Sequence, residues 1–379
     1  MEIEKAGSMR RSVLKAITLG FLISISVTAL GFSPPYNAQK QNTLSYASIK
    51  NWGLVNSLAK SHINAVDAWK IQEGSHNVIV AVIDTGIDPN HADLEKNIWN
   101  DPSTRNKKVF GWNYVSNQAN PADDHGHGTH VAGIIGAIAN PTAGVSGVAH
   151  KVSIMSVKYY SDVNPGAVNL RNTVKAINYA IEHGARIINY SGGGPEFSEE
   201  EYLAIKKAEA AGILFVSAAG NEHQDTDQVE NYYYPSAYRL SNIISVAATD
   251  INNRLLKSSN WGKSKVDVAA PGENIYSTLP GGKYGYMSGT SQATAFVTGV
   301  AALLLAQDPS LTPARLKEII KDSADRLPEL KSKVATGGRV NAYSALLALK
   351  NKGNQPKFKG ELLAQRPFSF PQLLSSPSR

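Results

Sequence analysis

The sequence predicts a doubly wound α/β domain, a mostly parallel sheet with helices on both faces, folded as a single unit. Three observations predict it. Residues 78–83 read Val-Ile-Val-Ala-Val-Ile, an unbroken and largely β-branched apolar run, which marks a strand covered on both faces. Comparable runs recur at 152–157, 185–189, 213–217 and 243–247. Between them, helical patterns occupy 128–138, 170–183 and 199–211, and strands alternating with helices at this spacing build parallel βαβ units. In such sheets functional groups gather beyond the carboxyl ends of the strands.

Taken in order, residues 1–15 hold Arg10, Arg11 and Lys15 ahead of an apolar stretch over 16–30. That stretch is shorter than the roughly 20 residues of a spanning helix, so residues 1–31 are expected to be a signal peptide cut between 29 and 38, with export and no lasting membrane insertion. Arg10-Arg11 also fits twin-arginine export. Residues 32–47 make a short N-terminal segment before a main domain over 48–349. A short helix at 65–69 precedes the first strand, which ends at Asp84-Thr85-Gly86. Gly289-Thr290-Ser291-Gln292-Ala293-Thr294-Ala295 leads into an apolar run over 296–305 with helical spacing through Val297, Val300, Ala301 and Leu304. Ser291 therefore sits at or near a helix N-terminus, where unpaired N–H groups and the macrodipole favour negative charge. Thr312 and Pro313 open another helix as N-cap and first residue, 341–349 forms the last, and 350–379 reads as a disordered basic tail with four prolines.

With 379 residues and 42% hydrophobic content the chain can bury a large core. Of the net charge of +7, residues 1–38 supply +2 and residues 351–379 supply +4, which leaves +1 for the middle. A nucleic-acid partner would need a basic face on the folded domain, so none is expected. There are no cysteines, which excludes disulfides, thiol nucleophiles and Cys-ligated zinc.

Three side chains carry the chemistry. Asp84 follows the first strand, His127 lies in Asp124-His125-Gly126-His127-Gly128-Thr129-His130, and Ser291 opens its helix. A serine hydroxyl needs an imidazole to take its proton, and the imidazole needs a carboxylate to fix its tautomer and stabilise its charge. A tetrahedral intermediate further needs a donor for its oxyanion, and Asn221 in Ala218-Ala219-Gly220-Asn221 presents a suitable amide.

Asp84-Thr85-Gly86-Ile87-Asp88, His127-Gly128-Thr129-His130-Val131-Ala132-Gly133, Ala218-Ala219-Gly220-Asn221 and Gly289-Thr290-Ser291-Gln292-Ala293, in that order, closely resemble the subtilisin family of serine proteases. The resemblance continues through Ala269-Ala270-Pro271-Gly272, Ser277-Thr278-Leu279-Pro280-Gly281 and Gly338-Arg339-Val340-Asn341, and covers roughly residues 50–349. It implies an exported, monomeric serine endopeptidase that cleaves proteins or peptides through an acyl-enzyme. In that reading Asp84 orients, His127 is base and then acid, Ser291 is the nucleophile, and Asn221 joins the Ser291 backbone N–H at the oxyanion. His130 matches a structural position and His125 lies outside the motif. Ser191, Gly192 and Gly193 match a segment that pairs as a strand with substrate residues before the scissile bond, and 161–169 matches the opposite wall. Pro235 matches a proline preceded by a cis bond. Tyr233, two residues earlier, falls at the floor of the pocket for the residue before the scissile bond, so small or medium side chains are expected there.

The family's usual cofactor is structural calcium. Asp93, in His91-Ala92-Asp93-Leu94, and Asn140, in the loop 138–145, match ligand positions with the hard oxygen donors that ion prefers. Residues 32–47 leave little room for the N-terminal chaperone domain that secreted members carry. Ala295 and Phe296 stand where the family has Pro followed by His or an aliphatic residue, a change expected to leave the chemistry alone. Two rivals are weighed against this reading. His125, His127 and His130 have the spacing of a zinc-hydrolase cluster, although Thr129 takes the place of that motif's Asp. The other rival is an inactive binding module, a class that loses one of the three reactive side chains; none is missing here.

Overall fold

The computed structural model describes residues 46, 48–56, 60–104 and 108–352; the signal segment 1–31 and the tail from 353 onward lie outside them. The chain enters through α1 (Ala65–Trp69) into the long strand β1 (Gly74–Asp84), then runs through β2 (Gly111–Asn113) and β3 (Gln118–Ala119) to α2 (His127–Gly136). Alternation follows: β4 (Lys151–Lys158), α3 (Gly166–Glu182), β5 (Ile187–Tyr190), α4 (Glu199–Ala210), β6 (Leu214–Ala218), β7 (Ile243–Thr249) and β8 (Val268–Pro271). A hairpin of β9 (Ile275–Leu279) and β10 (Lys283–Met287) delivers the chain to α5 (Thr290–Gln307). Then come α6 (Pro313–Asp322), β11 (Asp325–Arg326), β12 (Gly338–Arg339) and α7 (Ala342–Lys352).

One sheet of ten strands, in the order β11-β12-β8-β7-β6-β5-β1-β4-β2-β3, forms the centre. It is parallel except at its ends, where β11 runs against β12 and β3 against β2. The order reverses at β1, which lies between β5 and β4, with Ile83 opposite Tyr190 and Asp84 opposite Lys158. A crevice at the carboxyl end of such a reversal is where an open α/β sheet binds ligands.

The unbroken apolar runs exist because the sheet divides two cores. Val78, Val80 and Val82 of β1 enter one core with α1, α2, α5, α6 and α7, while Ala81 and Ile83 enter a second core with α3 and α4. Consecutive β1 side chains thus bury on opposite faces, and no polar alternation is needed. α5 is buried on every side from Thr290 to Leu305. It packs on α2 and on β1, β5, β6, β7 and β8, which makes it the axis of the larger core.

Differences from the sequence-based expectation are local. The helix expected over 128–138 stops at Gly136, with Ala137 already extended at ψ 137°. The last helix, expected over 341–349, runs from Ala342 to Lys352. β8, with two Ala and a Pro, and the two-residue β11 and β12 carry no hydrophobic run, and they pair because neighbouring strands supply partners. Among the described residues no helix is long and apolar enough to cross a membrane.

Candidate active site

The four positions singled out for chemistry meet at the carboxyl edge of β1, β5 and β6. Asp84 ends β1, and its carboxylate, 3% exposed, accepts the Thr85 N–H at 2.8 Å and the His127 imidazole at 2.7 Å through Nδ1. A carboxylate only accepts, so Nδ1 carries the hydrogen and Nε2 is left as the basic nitrogen. Among the described residues Nε2 makes no hydrogen bond, and a quarter of the imidazole is exposed. Burial disfavours a charged His127, but the charge and hydrogen bond of Asp84, with a further contribution from Asp123, outweigh it and hold the imidazole above its ordinary value.

His127 can lie this close to β1 because Gly128 has no side chain. A Cβ there would fall 2.1 Å from the Gly86 carbonyl and 3.2 Å from the Asp84 side chain. The start of α2 is fastened by Asp123, which accepts from the backbone of His125, Gly126 and Thr129 and from the hydroxyls of Thr85 and Thr129 at 2.6–3.0 Å. Burial alone would raise the Asp123 carboxyl; these hydrogen bonds overcome it and hold it below the usual carboxylate range.

Ser291 is the second residue of α5. Its hydroxyl donates to the Ser191 carbonyl at 3.3 Å, and Ser191, which follows β5, stands beside Asp84 because Tyr190 and Ile83 are paired. Asn221 follows β6 by three residues, and its Oδ1 accepts the Thr290 N–H at 2.9 Å and the Thr290 hydroxyl at 3.2 Å. An N–H requires an acceptor, so this contact fixes the amide orientation and turns Nδ2 away as a free donor. Gly289 keeps the approach open: its φ of 152° disfavours a side chain, and a Cβ would sit 3.3 Å from Asn221 Oδ1.

A sequence profile described as the subtilase family matches residues 75–348. The chain belongs to the subtilase family. Thermitase from Thermoactinomyces vulgaris is 39% identical over 284 residues, covering 75% of this chain and 93% of that protein. Subtilisin DY from Bacillus licheniformis is 36% identical over 268 residues, covering 70% and 91%. The solved structure of a cold-adapted subtilisin-like serine proteinase superimposes with a TM-score of 0.59 at 30% identity, over 70% of this chain and 90% of that one. This subtilase is accordingly a serine-type endopeptidase.

The remaining predicted positions are distributed around that centre. Gly193 and Gly220 bracket the Tyr233 ring, since Cβ atoms on them would lie 2.4 and 2.9 Å from it. Gly192 faces Tyr159 and Tyr190, and Gly194 exchanges backbone hydrogen bonds with Tyr234, which precedes a cis Pro235. The zinc reading fails. His130 is fully buried and donates through Nε2 to the carbonyls of Ile275 and Gly285, and burial pushes it down to about 4. His125 is exposed, and among the described residues no three His, Asp or Glu side chains form a metal cluster.

Asp93 and Asn140 do meet. Asp93 is 6% exposed and pairs with no cation among the described residues; its Oδ1 accepts from the Asn140 amide at 2.9 Å and its Oδ2 from the Tyr284 hydroxyl at 2.5 Å. A buried carboxylate held only by neutral donors, beside a loop of carbonyl oxygens, fits a hard cation in donor type. The amide orientation does not, because Asn140 presents its nitrogen to Asp93 while Oδ1 accepts the Ala143 N–H.

Asp123 and Lys158 were not foreseen. Lys158, 3% exposed, donates to the Thr85 carbonyl at 2.7 Å and to Asp124 at 2.5 Å, clamping the turn after β1 to the approach to α2. The Asp123-Asp124 pair just ahead of a helix start was the available signal for such a cap.

Proposed function

We propose that this endopeptidase works through an Asp84, His127 and Ser291 triad, with Asn221 and the Ser291 backbone N–H receiving the oxyanion. The observation that carries this reading is the 2.7 Å Asp84–His127 hydrogen bond, which leaves Nε2 basic and unpartnered at the edge where Ser291 stands. In this reading the Ser291 hydroxyl leaves the Ser191 carbonyl and turns to Nε2. Oγ then attacks the peptide carbonyl carbon as Nε2 takes its proton. The N–H of Ser291, in the first helical turn, and Asn221 Nδ2 stabilise the oxygen as it gains charge. Collapse breaks the C–N bond, and the imidazolium gives its proton to the leaving amine; water repeats the sequence on the acyl-enzyme. A fluorophosphonate probe is expected to label Ser291, with labelling lost in His127→Ala; labelling at another residue, or undiminished labelling of that variant, rejects the assignment. The same experiment disposes of the inactive-module reading.

Substrates are proteins or peptides laid against Ser191, Gly192 and Gly193 as an added strand. The Tyr233 ring fills the space between Gly193 and Gly220, so the side chain before the scissile bond is small or medium. Peptides varied only at that residue are expected to be cut at least about tenfold faster with Ala than with Phe; a Phe optimum removes Tyr233 from this role.

Calcium enters as a structural ion held by Asp93, with the Asn140 amide turned over to offer Oδ1. There it would neutralise a buried carboxylate. Chelation is expected to lower Tm by about 5 °C relative to millimolar calcium, and Asp93→Asn should erase the difference. Equal wild-type melting in both buffers would remove the ion from the proposal. Export through residues 1–31 and a monomeric enzyme complete the reading; size-exclusion chromatography of the secreted product checks both.

A further inference from the structure

Beside Gly193 and Gly194 opens a cleft of about 540 Å³ whose walls include Tyr159, Tyr160, Tyr190 and Tyr234; among the described residues its carboxyl groups are Glu196 and Glu201, and no Lys, Arg or His lines it. Glu201 lies in the first turn of α4, 2% exposed. Among the described residues it has no cationic partner, and its one side-chain hydrogen bond brings the Tyr238 hydroxyl to Oε2 at 2.8 Å. That hydroxyl also lies 3.0 Å from the Ser198 carbonyl, so its one proton is shared between the two acceptors and Glu201 receives only part of it. The carboxyl borders the cleft, its Oε1 without a hydrogen bond among the described residues, and burial pushes it up to about 7. Helix capping does not account for it, since the Ser198 hydroxyl meets the Glu201 backbone N–H and is itself paired with Glu200.

We propose that this cleft is a specificity site for a lysine or arginine side chain of the substrate, held by Glu201 inside, Glu196 at the rim and the tyrosine faces between them. Aromatic rings attract cations over their faces, and a carboxylate short of partners in a partly desolvated cleft gains more from an arriving cation than an exposed one does. The inference rests on the substrate strand pairing with Ser191–Gly193. An extended chain advances about 3.3 Å per residue, and Gly193 and Gly194 are two and three residues beyond the position touching Ser291, so the recognised side chain belongs to a residue about three or four positions before the scissile bond.

The test uses a peptide with a fixed cleavage site in which each of the second to fifth residues upstream is set in turn to Lys, Arg, Leu or Glu. Expected is one upstream position where Lys or Arg raises kcat/KM about tenfold over Leu. Glu201→Gln, nearly isosteric and still able to accept from Tyr238, should reduce that preference, read as the ratio of kcat/KM for the Lys or Arg peptide over the Leu peptide, to within about twofold. Glu196→Gln should reduce it partially and lower its salt dependence. The proposal is overturned if no upstream position favours a basic residue, or if both variants keep the preference. Failure of the protease reading looks different, since no peptide in the set would be cut. A circular-dichroism melt of each variant guards against misfolding.

Discussion

Asp84→Asn is expected to lower kcat/KM near neutral pH by about 10⁴-fold while leaving the fold intact. Asparagine has nearly the shape of aspartate, but its amide can present N–H₂ to His127 Nδ1. An imidazole that accepts at Nδ1 carries its hydrogen on Nε2, so it cannot take the Ser291 proton. The carboxylate also supplies the first upward influence on His127 after burial has pushed it down. Wild-type activity should therefore rise with pH through a limb above the ordinary histidine range, because the neutral imidazole is the base and Asp84 delays its deprotonation. Whatever activity survives in Asp84→Asn should show that limb moved to lower pH. For stability the sign is opposite: a raised His127 adds stability below its unfolded value and loses it as pH climbs through the folded one. A pH–rate profile of both proteins checks the argument, and loss of less than about tenfold would remove Asp84 from the triad.

Phe296→Ala is expected to cost about 3–5 kcal/mol of folding stability and to lower Tm by roughly 10 °C. Phe296 lies fully buried on α5, and its ring fills the slot left by Gly53, where a Cβ would come within 2.4 Å of it. The same Cβ would lie 2.9 Å from Pro271 Cβ; a glycine and a rigid proline ring have little side chain to move into the gap, which therefore closes only in part. Ser291 is more than a helical turn away, so kcat at low temperature should be retained. Calorimetry beside an activity assay separates the two effects; a loss under about 1 kcal/mol would mean that the site collapses freely.

How far the letters reached depended on what each element needs from its own segment. β1, β4, β5, β6 and β7 were legible because both faces of those strands meet apolar layers, and that condition writes itself as a continuous run. β8, with Ala269, Ala270 and Pro271, carries no such mark, and only its neighbours β7 and β12 make it a strand. Asp84, His127, Asn221 and Ser291 stood out because small flanking residues accompany them; Gly128 and Gly289 show what those residues do, each keeping an approach open that a Cβ would crowd. Asp123 and Glu201 were not found. Asp123 differs from Asp124 only in the direction the fold gives it, toward the first turn of α2. Glu201 belongs to an acidic first turn that reads as solvated, yet it is buried, and its hydrogen-bond partner Tyr238 lies 37 residues along the chain. Spacing made His125, His127 and His130 look alike; packing gave one to solvent, one to Asp84 and one to the β9–β10 hairpin.

Because α5 is enclosed from Thr290 to Leu305, its amides should be among the last in the molecule to exchange with deuterium, released only when the whole fold opens. Ser291 rides on that segment, so heating should yield no loosened yet working population. Inactivation and melting would then coincide, and each copy that opens becomes a digestible chain for those still closed.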